Sequence, residues 1–566
     1  MESKVTYTVS ADPLAHLYTI TMRFVPPPGP WVDLMLPVWT PGSYMVREYS
    51  RHVQDFTCLL PWTKRNKNTW RIQVPADTAE VTVSYRVYAL ELTVRTSHLD
   101  NTHGYFNGAC LFLLCAPWRA VPHDLEILLP HPDWQITTAL TQQAGNHFRA
   151  VDYDQLVDSP VEMGTHSVHR FEVLDKTHRL AIWGQGNYDI PSMLRDITRI
   201  IETTASIFGG LPYPEYLFIV HAADNYGGLE HANSTSLLYP RLNFQPQSKY
   251  ERFLQLVAHE FFHTWNIKRL RPDTLDSFDY SQENYVSVLW FCEGGTAYYD
   301  EFICMRAGFY DDRRYLQLLS EAITRLETTP GKDVQSLTQS SFDAWIKLYR
   351  PDENSLNSSI SYYLKGQVVM LLLDLFLRAR GQGSLDTVFQ ELWRRYQSRG
   401  AAYSEVELWA VIEGVAGDLT GFYKYFIQGT QPLPYNEFLE PFGLHLTSEV
   451  EGFPYTGLRL GEDKPVLKAV ETGSAAQQAG LCPGDELIAL NGLRVTTKNW
   501  SDLLKCYAPG TRVVLTCFRR DELRSFELLL GDPQPSRYTL TPLPKLTAQQ
   551  RTLYQAWLGK ACSGSG

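Results

Sequence analysis

The chain has 566 residues, 44% hydrophobic and 20% charged, an ordinary globular balance that excludes wholesale disorder. At about 150 residues per domain, the length suggests three or four domains. Lys and Arg number 51 against 62 Asp and Glu; the resulting net charge of −11 would repel a phosphate backbone and argues against nucleic acid as a partner. Nine cysteines with no CxxC spacing are too few and too scattered for a disulfide framework. The opening Met1–Ser10 lacks a basic segment followed by an apolar core, so no secretory signal is expected. The longest apolar runs, such as Val368–Leu377, fall short of the ~18–20 residues that span a bilayer. The expectation is a soluble, cytoplasmic chain with no membrane span.

The segments Val5–Val9, Leu17–Phe24, Val81–Tyr88 and Leu125–Leu129 are rich in β-branched and aromatic residues, largely in alternation, and turn signals such as Pro26-Pro-Pro-Gly-Pro lie between them. They predict an all-β N-terminal sandwich over residues 1–172. From Met193 to Phe208 the apolar spacing becomes helical, and Gly209-Gly210 stops it. Helical patterns continue to about Gln428. Within them, Ser248-x-x-Glu251 is expected to cap a helix whose apolar face carries Phe253, Leu254, Leu256, Val257, Phe261 and Phe262. Asp279-x-x-Gln282 is expected to open another helix running to Gly308. After the Pro-rich joint at Gln431–Tyr435, short strands and turns return until about Leu530. Thr547-x-x-Gln550 then opens a last helix ending at Gly559. The expected divisions are 1–172, 173–440, 441–535 and a tail of 536–566, in a multidomain α+β fold.

The strongest chemical signal is His259-Glu260-Phe261-Phe262-His263. On a helix, positions i and i+4 are about 40° apart, so both imidazoles leave one face and can share a metal. Glu260 lies about 100° round, able to reach a water at that metal without ligating it. Imidazoles suit zinc, and catalytic zinc sites take three protein ligands plus water. Asn266 and Arg269 rule out the metzincin continuation. Glu293, thirty residues past His263 in Trp290-x-x-Glu293-Gly294-Gly295, is the expected third ligand, with Glu283 as the alternative. A carboxylate in the middle of an apolar helix needs something positive to meet it. A metal would do so; the other candidate is the basic run Lys268-Arg269-Leu270-Arg271. Gly294-Gly295 costs about 1 kcal/mol of helix stability per residue, pointing to close approach of a second helix.

His259, His263 and Glu293 in this context resemble the gluzincin metallopeptidases, the clan of aminopeptidase N. The run His259–Pro272 is most similar to the glycyl aminopeptidase family, and Pro37–Arg51 is similar to that family's N-terminal signature. The resemblance implies a thermolysin-like zinc peptidase domain between the β domain and a C-terminal PDZ domain. It also implies one Zn2+ per chain, peptide substrates with a free N-terminus and a preference for N-terminal Gly or Ala.

Gly227-Gly228-Leu229-Glu230 occupies the place of the aminopeptidase Gly-x-Met-Glu-Asn segment. Glu230 is then the carboxylate that meets the substrate α-ammonium, and Gly227 and Gly228 let the backbone pair with an extended peptide. His231 stands where that segment has Asn. Tyr363-Leu-Lys-Gly366 is similar to the clan's Tyr-Glu-Lys-Gly, which gives Tyr363, rather than Tyr362, the role of oxyanion donor; Glu260 is the general base acting on a water at zinc. Asp300, two turns past Glu293, is placed to orient a zinc histidine. Gly473–Gly492 resembles a PDZ core with Gly457–Leu460 as its carboxylate-binding loop, so a C-terminal peptide in that groove is a candidate partner; the other possibility is that the module braces the catalytic domain. The functional alternatives are an endopeptidase of the same clan, in which Glu230 does not face the cleft, and a non-catalytic PDZ scaffold.

Overall fold

The computed structural model describes residues Val5–Lys560, which form two compact units. One comprises the chain up to Tyr285 together with Phe389–Ser404. The other comprises Val286–Val388 and the chain from Glu405 onward.

The first unit begins with the expected β region. A seven-stranded sheet is centred on Val5–Asp12, which pairs antiparallel with Leu17–Phe24 and parallel with His123–Leu128. Every second residue of Val5–Val9 points into the core, as the alternation requires, and Tyr7 and Tyr18 are fully enclosed. A four-stranded sheet pairs Val161–Gly164 with His103–Phe106. Next to it lies a five-stranded sheet in the order Ser167–Val173, Lys176–Trp183, Glu215–Ala223, Ser234–Pro240 and Gly227–Glu230. Gly227–Glu230 is an edge strand, antiparallel to its one neighbour.

A buried carboxylate joins these two sheets. Glu162 faces His103 Nδ1 at 3.0 Å and His221 Nε2 at 2.8 Å, through a different oxygen in each case. All three residues are enclosed. Burial pushes the Glu162 carboxyl up, but the two imidazoles outweigh it and hold the group at about 2.

The helix Ile190–Phe208 matches the sequence reading, with Asp189 capping its start and Gly209 ending it at φ 79°. Two helix starts differ from expectation. The HExxH helix runs Gln247–Phe262 with Pro246 at its N-cap, so Ser248 lies inside the first turn and Ser248-x-x-Glu251 forms no capping box. The helix carrying Glu293 is Leu289–Arg306 rather than one opening at Asp279. Asp279 instead folds a local turn, accepting from Ser281 N at 2.8 Å and Gln282 Nε2 at 2.8 Å. Asx residues offer the backbone this alternative to a helix start.

In the second unit, Leu289–Arg306 packs on Tyr362–Ala379, and the glycines explain how closely. A Cβ built on Gly294 would lie 2.6 Å from Gly366 Cα. The segment Ser355–Ala379, a short helix at Ser355–Ser358 followed by Tyr362–Ala379, is long and apolar enough to cross a membrane, beyond what the apolar runs suggested, but 78% of its most apolar window is buried in the protein.

The C-terminal module has the expected PDZ elements. The helix Ala475–Ala479 lies near a four-stranded sheet, and Glu486–Leu490 ends in an Asn491-Gly492 turn with both φ positive. This module is braced on helical neighbours of the same unit. Asn357 donates to Val470 O and accepts from Thr472 N, both at 2.9 Å, and Arg459 donates to Thr328 O. Thr547 and Gln550 form the expected capping box of the last helix, Ala548–Leu558. The final six residues of the tail lie outside the described residues. No disulfide joins the eight described cysteines.

Candidate active site

The HExxH helix is anchored by its aromatic face. Phe261 meets Tyr216 edge-on at 5.2 Å, Phe262 packs on Phe208, and Trp265 stacks on Phe208 with ring centroids 4.5 Å apart. The opposite positions carry the histidines. The rings of His259 and His263 lie 4.7 Å apart, edge to face, as a one-turn separation requires. His263 is 1% exposed. Its Nδ1 stands 2.6 Å from Asn266 O, and because a carbonyl can only accept, Nδ1 carries the proton and Nε2 is the atom offered to a metal. This is the imidazole tautomer that zinc binding needs. Asn266 served the sequence reading only to exclude another family; its carbonyl role comes from the turn that follows the helix.

Glu260 is 5% exposed and lies beneath the edge strand. A Cβ added at Gly228 would collide with its carboxylate, so glycine there is a steric requirement. Glu230, 4% exposed, ends the same strand. One carboxylate oxygen of Glu230, one of Glu260 and one ring nitrogen of His263 all lie within 4.8 Å of one another. Gly42 closes over Glu230 from the N-terminal signature. It has φ 85°, and a Cβ there would sit 2.5 Å from Glu230 Oε1. Arg95 donates to Gly228 O at 3.0 Å, fixing the edge strand from the β region. The sequence reading noticed the signature but had no signal for these cradling contacts.

The basic run after the helix is engaged within its own unit. Lys268 pairs with Asp158, Arg271 approaches Asp276, and Arg269 donates to the carbonyls of Ala232, Thr264 and Pro212. Glu283 lies in the irregular segment before Leu289 and belongs to no cluster of metal-ligating atoms among the described residues. His103, Glu162 and His221 form such a cluster, but the carboxylate is already taken up by one hydrogen bond from each imidazole.

The second unit carries Glu293, Asp300 and Tyr363. Glu293 is 2% exposed within an otherwise apolar stretch, and Asp300 is buried two turns further on. Burial, reinforced by the Asp300 charge, pushes the neighbouring Glu301 carboxyl up to about 8. Tyr363 lies in the first turn of its helix, which is capped by Ser361. Burial and then the Glu293 charge raise its hydroxyl well above the normal range, so it stays a proton donor. Tyr349 OH lies 3.2 Å from Tyr363 OH, and the Tyr362 ring stacks beside it at 4.7 Å.

A β-rich N-terminal region, an HExxH helix under a sheet edge and a PDZ module together define a zinc metallopeptidase of the aminopeptidase type. Residues 6–165 match the Peptidase M61 N-terminal domain, residues 252–369 match M61 glycyl aminopeptidase, and residues 466–519 match a PDZ domain. A crystal structure from Idiomarina loihiensis, described as an aminopeptidase N family protein, is 32% identical over 98% of this chain and 100% of its own, with a TM-score of 0.91. An M1 zinc metallopeptidase from Deinococcus radiodurans is similar at 13% identity over 76% of this chain and 94% of its own, with a TM-score of 0.49. No curated protein matches the chain. The chain belongs to the M61 glycyl aminopeptidase family.

Proposed function

We propose that this zinc aminopeptidase removes N-terminal residues, glycine and alanine by preference, from peptides with a free amino terminus. His259, His263 and Glu293 are the residues that would hold one zinc ion per chain. The observation that carries the exopeptidase reading is the grouping of Glu230, Glu260 and His263 within 4.8 Å, which supports an amine-binding carboxylate one residue's reach from the catalytic base. In an endopeptidase a buried carboxylate there would block the path of the preceding residues.

A zinc ion bound there would lower the pKa of a water towards ~7 and polarise the scissile carbonyl. Glu260 takes the proton from the attacking water and delivers it to the leaving amine. Tyr363 donates to the developing oxyanion, a contribution of about 3 kcal/mol for donors of this kind. Glu230 pairs with the α-ammonium, and the backbone of Gly227 and Gly228 pairs with the substrate strand at the open sheet edge. Asp300 orients a zinc histidine. A narrow recess beside Glu230, walled by Trp39, Tyr44 and Phe278, supports a small first side chain. The divisions 1–172, 173–440, 441–535 and 536–566, a cytoplasmic location and a C-terminal peptide in the PDZ groove complete the proposal.

A panel of glycyl, alanyl and leucyl reporters, each also N-acetylated and each run with and without a zinc chelator, tests it. The expected result is chelator-sensitive cleavage, fastest for glycyl and alanyl and absent for acetylated substrates. Cleavage of acetylated peptides refutes the exopeptidase reading. A gently purified protein that lacks zinc and is not rescued by adding it refutes catalysis and favours the PDZ scaffold.

A further inference from the structure

Asp158, His231 and Lys268 form a mostly buried polar cluster beside Glu230 that the reaction steps above leave unused. Asp158 ends the short helix Tyr153–Val157 in the N-terminal β region, and Lys268 lies in the turn after the HExxH helix, 110 residues away. Asp158 Oδ1 accepts from Lys268 Nζ at 2.6 Å and faces His231 Nδ1 at 3.1 Å. Its Oδ2 accepts from the Ala232 backbone N–H at 2.9 Å. Two of these three partners are therefore the residues that directly follow Glu230. The third, Lys268, has a side chain only 7% exposed and lines the same recess as Glu230.

A substrate α-ammonium needs a carboxylate not already committed to a cation. Among the described residues no Lys or Arg forms an ion pair with Glu230, although Lys268 and Arg271 both border the same space; the Lys268 ammonium is turned onto Asp158 and the Arg271 guanidinium towards Asp276. Were Asp158 neutral, a poorly solvated ammonium would be left without its counter-ion, and Glu230 is the carboxylate that shares its recess. The lysine would then occupy the position the substrate amine has to take.

We propose that Asp158 is a positioning residue for substrate recognition: it sequesters Lys268 so that Glu230 stays available to the substrate amine, and it holds the turn that follows Glu230. The N-terminal β region thereby takes part in choosing substrates with a free amino terminus. The inference rests on the reading of Glu230 as the amine anchor.

The test compares two inhibitors with the same zinc-binding group, glycine hydroxamate and acetohydroxamate, which differ only in the α-amine. The ratio of their inhibition constants reads the amine's contribution to binding, which a purely structural role for Asp158 would leave unchanged. In Asp158→Asn the ratio is expected to shrink about tenfold, as loss of ~1.4 kcal/mol of amine binding would give, with KM for a glycyl reporter rising far more than kcat falls. In Asp158→Asn/Lys268→Met the competing ammonium is gone, and the ratio is expected to recover. The double variant also removes both charges together, so its thermal unfolding separates misfolding from lost recognition. An unchanged ratio in Asp158→Asn, or a reduced ratio that fails to recover in a folded double variant, overturns the proposal. Glu230→Gln is the control: if it leaves the ratio intact, the amine-anchor reading itself is wrong, whatever Asp158 does.

Discussion

Gly228→Ala should separate catalysis from folding and from metal binding. The added methyl group would run into the Cγ, Cδ and Oε1 atoms of Glu260, so the carboxylate has to withdraw by more than about 1 Å to regain ordinary van der Waals separation. Gly228 does not have the positive φ that alanine would resist, so the clash falls on the Glu260 side chain. A general base displaced by about 1 Å loses on the order of 10²-fold in rate. None of the three atoms nearest the added methyl belongs to His259 or His263. Turnover of an alanyl reporter, zinc content and thermal unfolding, measured together, should show kcat down by roughly a hundredfold with zinc retained and the melting temperature little changed. If kcat stays within about threefold of the parent, Glu260 is not the base, or the edge strand does not press on it during turnover.

Gly294→Ala should act on stability. Its Cβ would meet Gly366 at the closest point of two core helices, and overpacking of this kind costs about 1–3 kcal/mol, measurable as a lower chemical-denaturation midpoint. Glu293→Ala should abolish tight zinc binding, read as metal content after dialysis, while the helix itself still forms. Glu162→Gln removes the carboxylate that two buried imidazoles share and should destabilise the protein at pH 7 by about 1–3 kcal/mol. In the parent, Glu162 has its folded pKa lowered to about 2, so its stabilisation is complete above the unfolded value near 4.5 and is lost as pH falls from there through 2. Burial also lowers the His103 pKa below 6.5, so keeping it neutral begins to cost stability as pH falls below 6.5, the same direction. Glu162 also raises the His103 pKa, so unfolding followed from pH 7 to 3 should show stability falling with acid in the parent and falling more steeply between pH 6.5 and 4.5 in Glu162→Gln; identical profiles would refute the assignment.

Much of this protein could be read from local pattern. The helical period of 3.6 residues puts His259 and His263 on one face in any helix long enough to hold them, and the apolar residues between them specify that helix. The same logic made Gly294 a sign of close helix packing, and Gly366 is the partner found there. The misplaced helix starts show where local pattern fails. Asp279 and Ser248 both read as caps, but a capping residue also serves a turn or sits inside a first turn, and packing around the helix decides which. What only the tertiary structure decided is the surround of Glu230. Gly42, Asp158 and Lys268 come from segments far apart in the chain, and each acts by steric fit or charge rather than by periodicity. Such contacts carry no repeating signal along the sequence, because they exist only once separate sheets and helices have closed around one carboxylate.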